Sequence, residues 1–111
     1  MAWGEAEAPM LAQAVACCER LRTLRLNTTE LGDAGTAAVV SALPRSGPLA
    51  SLNLGNTGSG ALVAKALASA LGEGLPALKE LDLQVNFDLD DDAKKLVRDA
   101  VSGREGFELK L

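Results

Sequence analysis

The chain contains no histidine and no tyrosine. Without histidine there is no imidazole to ligate a metal, to act as general base in a Ser/His/Asp or Cys/His arrangement, or to titrate near neutrality. The aromatic residues are Trp3, Phe87 and Phe107, so the core has to be assembled from Leu, Val and Ala, which suits thin, regular layers. No basic block is present and the formal net charge is −4, which leaves no electrostatic footprint for nucleic acid or an anionic membrane. The two cysteines, Cys17 and Cys18, are adjacent. Neighbouring side chains on a helix diverge by about 100°, so the pair suits neither a mutual disulfide nor a two-cysteine metal clamp. One buried and one exposed thiol, both reduced as in a cytoplasmic protein, are expected. Glu5 and Glu7 stand where a signal peptide carries positive charge, and Gln13 breaks the apolar run that follows, so no secretion signal or membrane span is expected.

What the chain has in quantity is leucine in register. Leu24 and Leu26 return as Leu52 and Leu54, then as Leu81 and Leu83, and again as Leu109 and Leu111, at a spacing that varies by a single position. Self-similarity at such a period marks a stack of units, each with too little apolar surface to close a core alone. The 111 residues are expected to form one domain. Within it, residues 1–20 are an N-terminal helix, half a repeat or a partial cap, and residues 21–111 hold about three repeats and a terminal strand.

The spacing predicts a helix over Glu5 to Arg20, with Pro9 in its first turn and Met10, Leu11, Ala14, Val15 and Cys18 along one face. Leu11 and Val15 precede Val39 and Leu43 by one full period, so this segment reads as the helix half of a unit, with Trp3 over its exposed end. From Leu21 the order becomes strand, turn, helix. Leu24 and Leu26 alternate with Thr23, Arg25 and Asn27, a period of two that turns the leucines inward. Asp33 is placed to cap a helix from Ala34, whose inner stripe is Ala34, Ala38, Val39, Ala42 and Leu43 and which Pro44 and the Gly47-Pro48 pair stop. The second unit repeats this with Val63, Ala66, Leu67, Ala70 and Leu71, ended by Gly72 and Gly74. The third uses Ala93, Leu96, Val97 and Ala100, ended by Gly103. Phe107, Leu109 and Leu111 then begin a fourth strand, an edge that carries no polar cap and offers a route to end-to-end self-association.

LRTLRLNTTELGDAGTAAVVSAL, residues 21–43, resembles a leucine-rich repeat of the ribonuclease-inhibitor-like subfamily, with Leu21, Leu24, Leu26, Leu31, Gly35, Val39 and Leu43 matching position by position. The resemblance extends over residues 11–111. It implies an α/β fold, a curved leucine-rich repeat solenoid or horseshoe arc with parallel β-strands on the concave face and α-helices on the convex face. In that family the ninth position is often a buried asparagine. Asn86 fills it in the third unit, whereas Thr29 and Thr57 stand there in the first two, so hydroxyls have to serve. Ser59 and Val63 replace the Leu31 and Gly35 of the first unit, and the second loop is expected to be looser.

Outward strand positions define the candidate binding residues: Thr23, Arg25 and Asn27; Ser51, Asn53 and Gly55; Glu80, Asp82 and Gln84; Glu108 and Lys110. Proteins of the resembled family commonly meet a protein partner on the concave sheet, which implies a non-enzymatic interaction scaffold without cofactors. Glu80 and Asp82 would recognise a basic patch on that partner. The same residues fit a structural fragment of a longer receptor or regulatory array. A regulator of a GTPase is a weaker third reading, carried by the outward Arg25.

Three motifs mimic chemistry. In GNTGSGALVAK, Gly55 and Gly60 have phosphate-loop spacing, but Ala61 and Leu62 stand where Lys and Ser or Thr are required. In DLDDDAKKLVRD, Asp88, Asp90, Asp92 and Asp99 fall on calcium-loop positions, but Ala93 replaces the turn glycine and Asp99 the bidentate Glu; acids at a helix start are the simpler account. Glu80 and Asp82 pair two carboxylates on an open sheet, without a pocket to shift their titration for acid–base catalysis.

Overall fold

A computed structural model describes residues 8–17, 20–29, 31–43 and 47–111. Among them are four helices and four strands in strict alternation: α1 (Ala8–Ala16), β1 (Thr23–Arg25), α2 (Gly32–Ala42), β2 (Ser51–Asn53), α3 (Ala61–Glu73), β3 (Glu80–Asp82), α4 (Asp91–Val101) and β4 (Glu108–Lys110). The strands form one parallel sheet in the order β1-β2-β3-β4. The fold is therefore α/β.

Each strand is three residues long with one inward leucine, and Leu26, Leu54 and Leu83 continue the inward side just beyond the first three. Leu24, Leu52, Leu81 and Leu109 are aligned across the sheet by register, and all four belong to or pack against one core. Backbone pairing runs past the strands: Leu26 N–H donates to Asn53 O at 2.8 Å, Thr28 N–H to Gly55 O at 2.9 Å, Leu54 N–H to Asp82 O at 2.8 Å and Asn56 N–H to Gln84 O at 2.9 Å. The near-constant spacing of the leucines thus returns the backbone to the same ladder each time.

Helices form the second layer, with α1 packed on α2, α2 on α3 and α3 on α4. Val39, Val40, Val63, Leu67, Ala70 and Val97 supply their buried sides. The alanine-based phase expected for α2 is rotated: Ala34 and Ala38 are exposed, while Thr36 and Val40 are buried beside Val39. Alanine costs little on either side of a helix, so the larger Val39, Val40 and Leu43 set the phase. In α4 the expected Leu96 is instead 38% exposed, and Val101 takes a core place with Ala93 and Val97. Helix α1 ends at Ala16 rather than Arg20, and its Met10 is 63% exposed while Leu11 and Val15 turn toward the core. Cys17 is exposed; Cys18, Trp3 and Pro44 lie outside the described residues.

The asparagine position behaves as its chemistry requires. Asn86 Nδ2 donates to the carbonyl three residues back, Leu83 O, at 2.8 Å. The hydroxyls at the equivalent positions do the same, Thr29 Oγ1 to Leu26 O at 2.7 Å and Thr57 Oγ1 to Leu54 O at 2.8 Å. Asn86 does more. Its Nδ2 also reaches Leu54 O at 3.0 Å, and its Oδ1 accepts from Thr57 N–H and Ser59 N–H, each at 3.0 Å, so one buried amide ties the third unit to the second. The second loop, expected to be looser, is therefore held: Thr57 and Ser59 are buried and share a 2.6 Å hydroxyl contact. Its Gly58, at φ +77°, lies so close to α2 that a Cβ there would stand 3.3 Å from Gly32 Cα.

Candidate functional site

The alternation that buries the central leucines places Thr23, Arg25, Asn27, Ser51, Asn53, Glu80, Asp82, Gln84 and Lys110 on the opposite face of the sheet, together with Gly55 and Glu108. Register sorts them into rows. Thr23, Ser51, Glu80 and Glu108 form the first row, and Arg25, Asn53, Asp82 and Lys110 the second. Asn27, Gly55 and Gln84 follow as a third. Strands about 4.8 Å apart bring cross-strand neighbours within reach. Ser51 Oγ donates to Glu80 Oε1 at 3.2 Å in the first row.

Two side chains of the second row are fixed by their own backbone. Asn53 Oδ1 accepts from Gly55 N–H at 3.0 Å, and Asp82 Oδ1 from Gln84 N–H at 2.9 Å. Both turn toward the third row, where the missing side chain of Gly55 leaves a depression of about 190 Å³ bordered by Asn27, Asn53, Asp82 and Gln84. Its far rim is made by Thr28, Asn56 and Val85, equivalent residues with φ of 60°, 52° and 62°, at which each unit leaves the sheet. Arg25 does not border the depression. The strand residues were readable from periodicity, but the depression depends on one glycine flanked by two amide side chains in space, and residues 27, 55 and 84 are far apart in the chain.

A second depression, of about 280 Å³, lies by the loop after β3 and is bordered by Leu83, Val85, Phe87, Leu89, Lys94 and Leu111. Phe87 is 92% exposed there.

The motifs that mimic chemistry are accounted for by helix ends. At the GNTGSG loop the first amides of α3 are already satisfied, because Asp33 Oδ1 accepts from Gly60 N–H at 2.8 Å and Val63 N–H at 2.9 Å, and Asp33 Oδ2 from Leu62 N–H at 3.1 Å. A carboxylate thus sits where a phosphate loop would hold its anion. Asp33 was expected to cap its own helix. Instead α2 has no side-chain cap, and the aspartate in its first turn caps the helix of the next unit. In the acidic stretch, Asp90 Oδ1 accepts from Ala93 N–H at 2.8 Å as the cap of α4, and Asp99 pairs with Lys95 at 3.3 Å. Among the described residues no group of three or more Cys, Asp or Glu is arranged to hold a metal ion. No described helix is long and apolar enough to cross a membrane. No family model matches the chain, and no curated protein matches it significantly.

Proposed function

We propose that the chain is a leucine-rich repeat solenoid and a non-enzymatic interaction scaffold, with the polar sheet face as the concave surface that meets a protein partner in the cytoplasm. The observation that carries this reading is the register: four parallel strands in sequence order bring the outward side chains of successive units into continuous rows. Among the described residues this face has no deep pocket to isolate a small substrate, and it presents many polar groups at a fixed spacing, as recognition of another chain requires. The shared hydrogen bond of Thr29, Thr57 and Asn86 to the carbonyl three residues back supports the repeat assignment.

The test is affinity capture followed by mass spectrometry with wild-type protein, Asp82→Lys on the sheet face and Lys65→Glu on the exposed side of α3, all with matched thermal melts. Partners lost from Asp82→Lys and kept by Lys65→Glu support the sheet face. Equal capture by Asp82→Lys places the binding surface elsewhere.

A second reading, a structural role inside a longer array, is favoured by the side chains committed to neighbouring units. Asp33 reaches forward to α3, and Arg104 reaches back to the carbonyls of Leu71, Gly74 and Leu75.

A further inference from the structure

We propose that the depression at Gly55 is a subsite for one basic side chain of a partner, a guanidinium in preference to an ammonium; the inference rests on the sheet-face reading above.

The floor of the depression is made of oxygen. A Cβ built on Gly55 would lie 3.2 Å from Asn53 Oδ1, 3.3 Å from the Gln84 carbonyl oxygen and 3.8 Å from Asp82 Oδ1. Three acceptors, at the ends of β2 and β3 and on the Gln84 carbonyl, therefore crowd around Gly55, and their residues line the depression. Their aim is set by the fold, since Asn53 Oδ1 and Asp82 Oδ1 are each held by the amide two residues on, and Gln84 O by Asn56 N–H. Asn53 Oδ1 and Asp82 Oδ1 each keep a second lone pair, whereas the Gln84 carbonyl also accepts from Asn86 Nδ2 at 3.4 Å.

That arrangement selects its occupant. An anion would meet the Asp82 carboxylate and two carbonyl dipoles, and an apolar group would bury acceptors without supplying donors. A guanidinium presents several N–H groups in one plane and can donate to more than one of these oxygens at once, with a charge-assisted bond to Asp82. The surrounding charges are mixed. Glu80 lies beside Asp82 on the same face and Glu108 stands across the register from Glu80, which favours a cation, while Arg25 faces Asn53 and Lys110 faces Asp82 in the second row. Lys110 is thus the competing cation, and its removal should tighten binding.

The experiment is a titration of the ¹⁵N-labelled chain with N-acetyl-arginine amide, with the lysine and glutamate analogues in parallel. Saturable shifts centred on the Gly55, Asn56 and Gln84 amides are expected, strongest with the arginine compound and absent with the glutamate one. Asp82→Asn keeps the oxygen that accepts from Gln84 N–H but loses the charge, and should weaken binding about tenfold. Lys110→Gln should strengthen it. Gly55→Ala fills the floor and should abolish it; if that variant does not fold, Asp82→Asn decides alone. Absence of saturable shifts with the arginine compound, equal shifts with the glutamate analogue, or unchanged affinity in Asp82→Asn overturns the subsite. Should the subsite fail while Asp82→Lys still loses captured partners, the sheet face stands and only its arginine anchor is wrong.

Discussion

Helices α3 and α4 occupy equivalent places in successive units and have opposite means of closing their ends. Helix α4 is self-sufficient: Asp90 caps it, Asp91 and Asp92 lie in its first turn and Arg98 in its last, so its own sequence complements its dipole. Helix α3 has none of this. Its N-cap is Gly60, which has no side chain, and it carries no acid in the first turn and no base in the last. Both deficits are met from outside. Asp33 of the preceding unit accepts from three amides at its start, and the Arg104 guanidinium donates to Leu71 O, Gly74 O and Leu75 O at its end. The loop before α3 is likewise held by Asn86 of the following unit. The segment between β2 and β3 is therefore held by residues outside it, through hydrogen bonds as well as apolar packing.

Breaking that arrangement at its most buried point should have the largest effect. Asn86→Ala removes partners from Thr57 N–H, Ser59 N–H and Leu83 O, while Leu54 O keeps the Thr57 hydroxyl. A loss of roughly 3–5 kcal/mol in urea unfolding is expected, since several buried backbone groups are left unsatisfied together. Next is Asp33→Ala, expected to cost about 2 kcal/mol, against about 1 kcal/mol for Asp90→Ala, which loses one local cap bond. Hydrogen exchange makes this comparison sharper. Asp33→Ala should deprotect the amides of Gly60, Leu62 and Val63 more than those of α2, in which the mutated residue itself lies; the reverse pattern would mean that Asp33 serves its own helix.

Arg104→Met keeps most of the side-chain length and removes the donors, and about 1–2 kcal/mol should be lost as Leu71 O, Gly74 O and Leu75 O revert to water. The smallest effect has the opposite sign. Val85 is a β-branched residue at φ 62°, where the middle unit carries Asn56 at φ 52°. Because asparagine tolerates the left-handed region and valine does not, Val85→Asn should stabilise the chain by about 1 kcal/mol, a rise in melting temperature of about 4–8 °C.

The strands were legible because their signal is doubled: leucines alternate within each and return in register across all four. A side chain on so short a strand has only two faces to choose between, so the candidate binding residues from Thr23 to Lys110 could be assigned to one of them without coordinates. Helix phase was less legible wherever alanine was its marker, as the exposed Ala34 and Ala38 show, because alanine scarcely prefers either environment. The hydroxyl substitution at Thr29 and Thr57 was readable since a donor two bonds from Cα can reach the same carbonyl. The target of Asp33 was not, because a cap search looks along the chain and this aspartate points across it.

Period and residue type by themselves determined the α/β alternation, the strand positions and the polar composition of the sheet face, since those depend on contacts that recur at every second position or once in each unit. Only the tertiary structure decided which unit each polar group serves. Asp33, Asn86 and Arg104 act on residues 27, 29 and 33 positions away along the chain. At that separation the stacked backbone brings donor and acceptor within hydrogen-bond distance, while sequence spacing leaves the choice between a residue's own unit and its neighbour open.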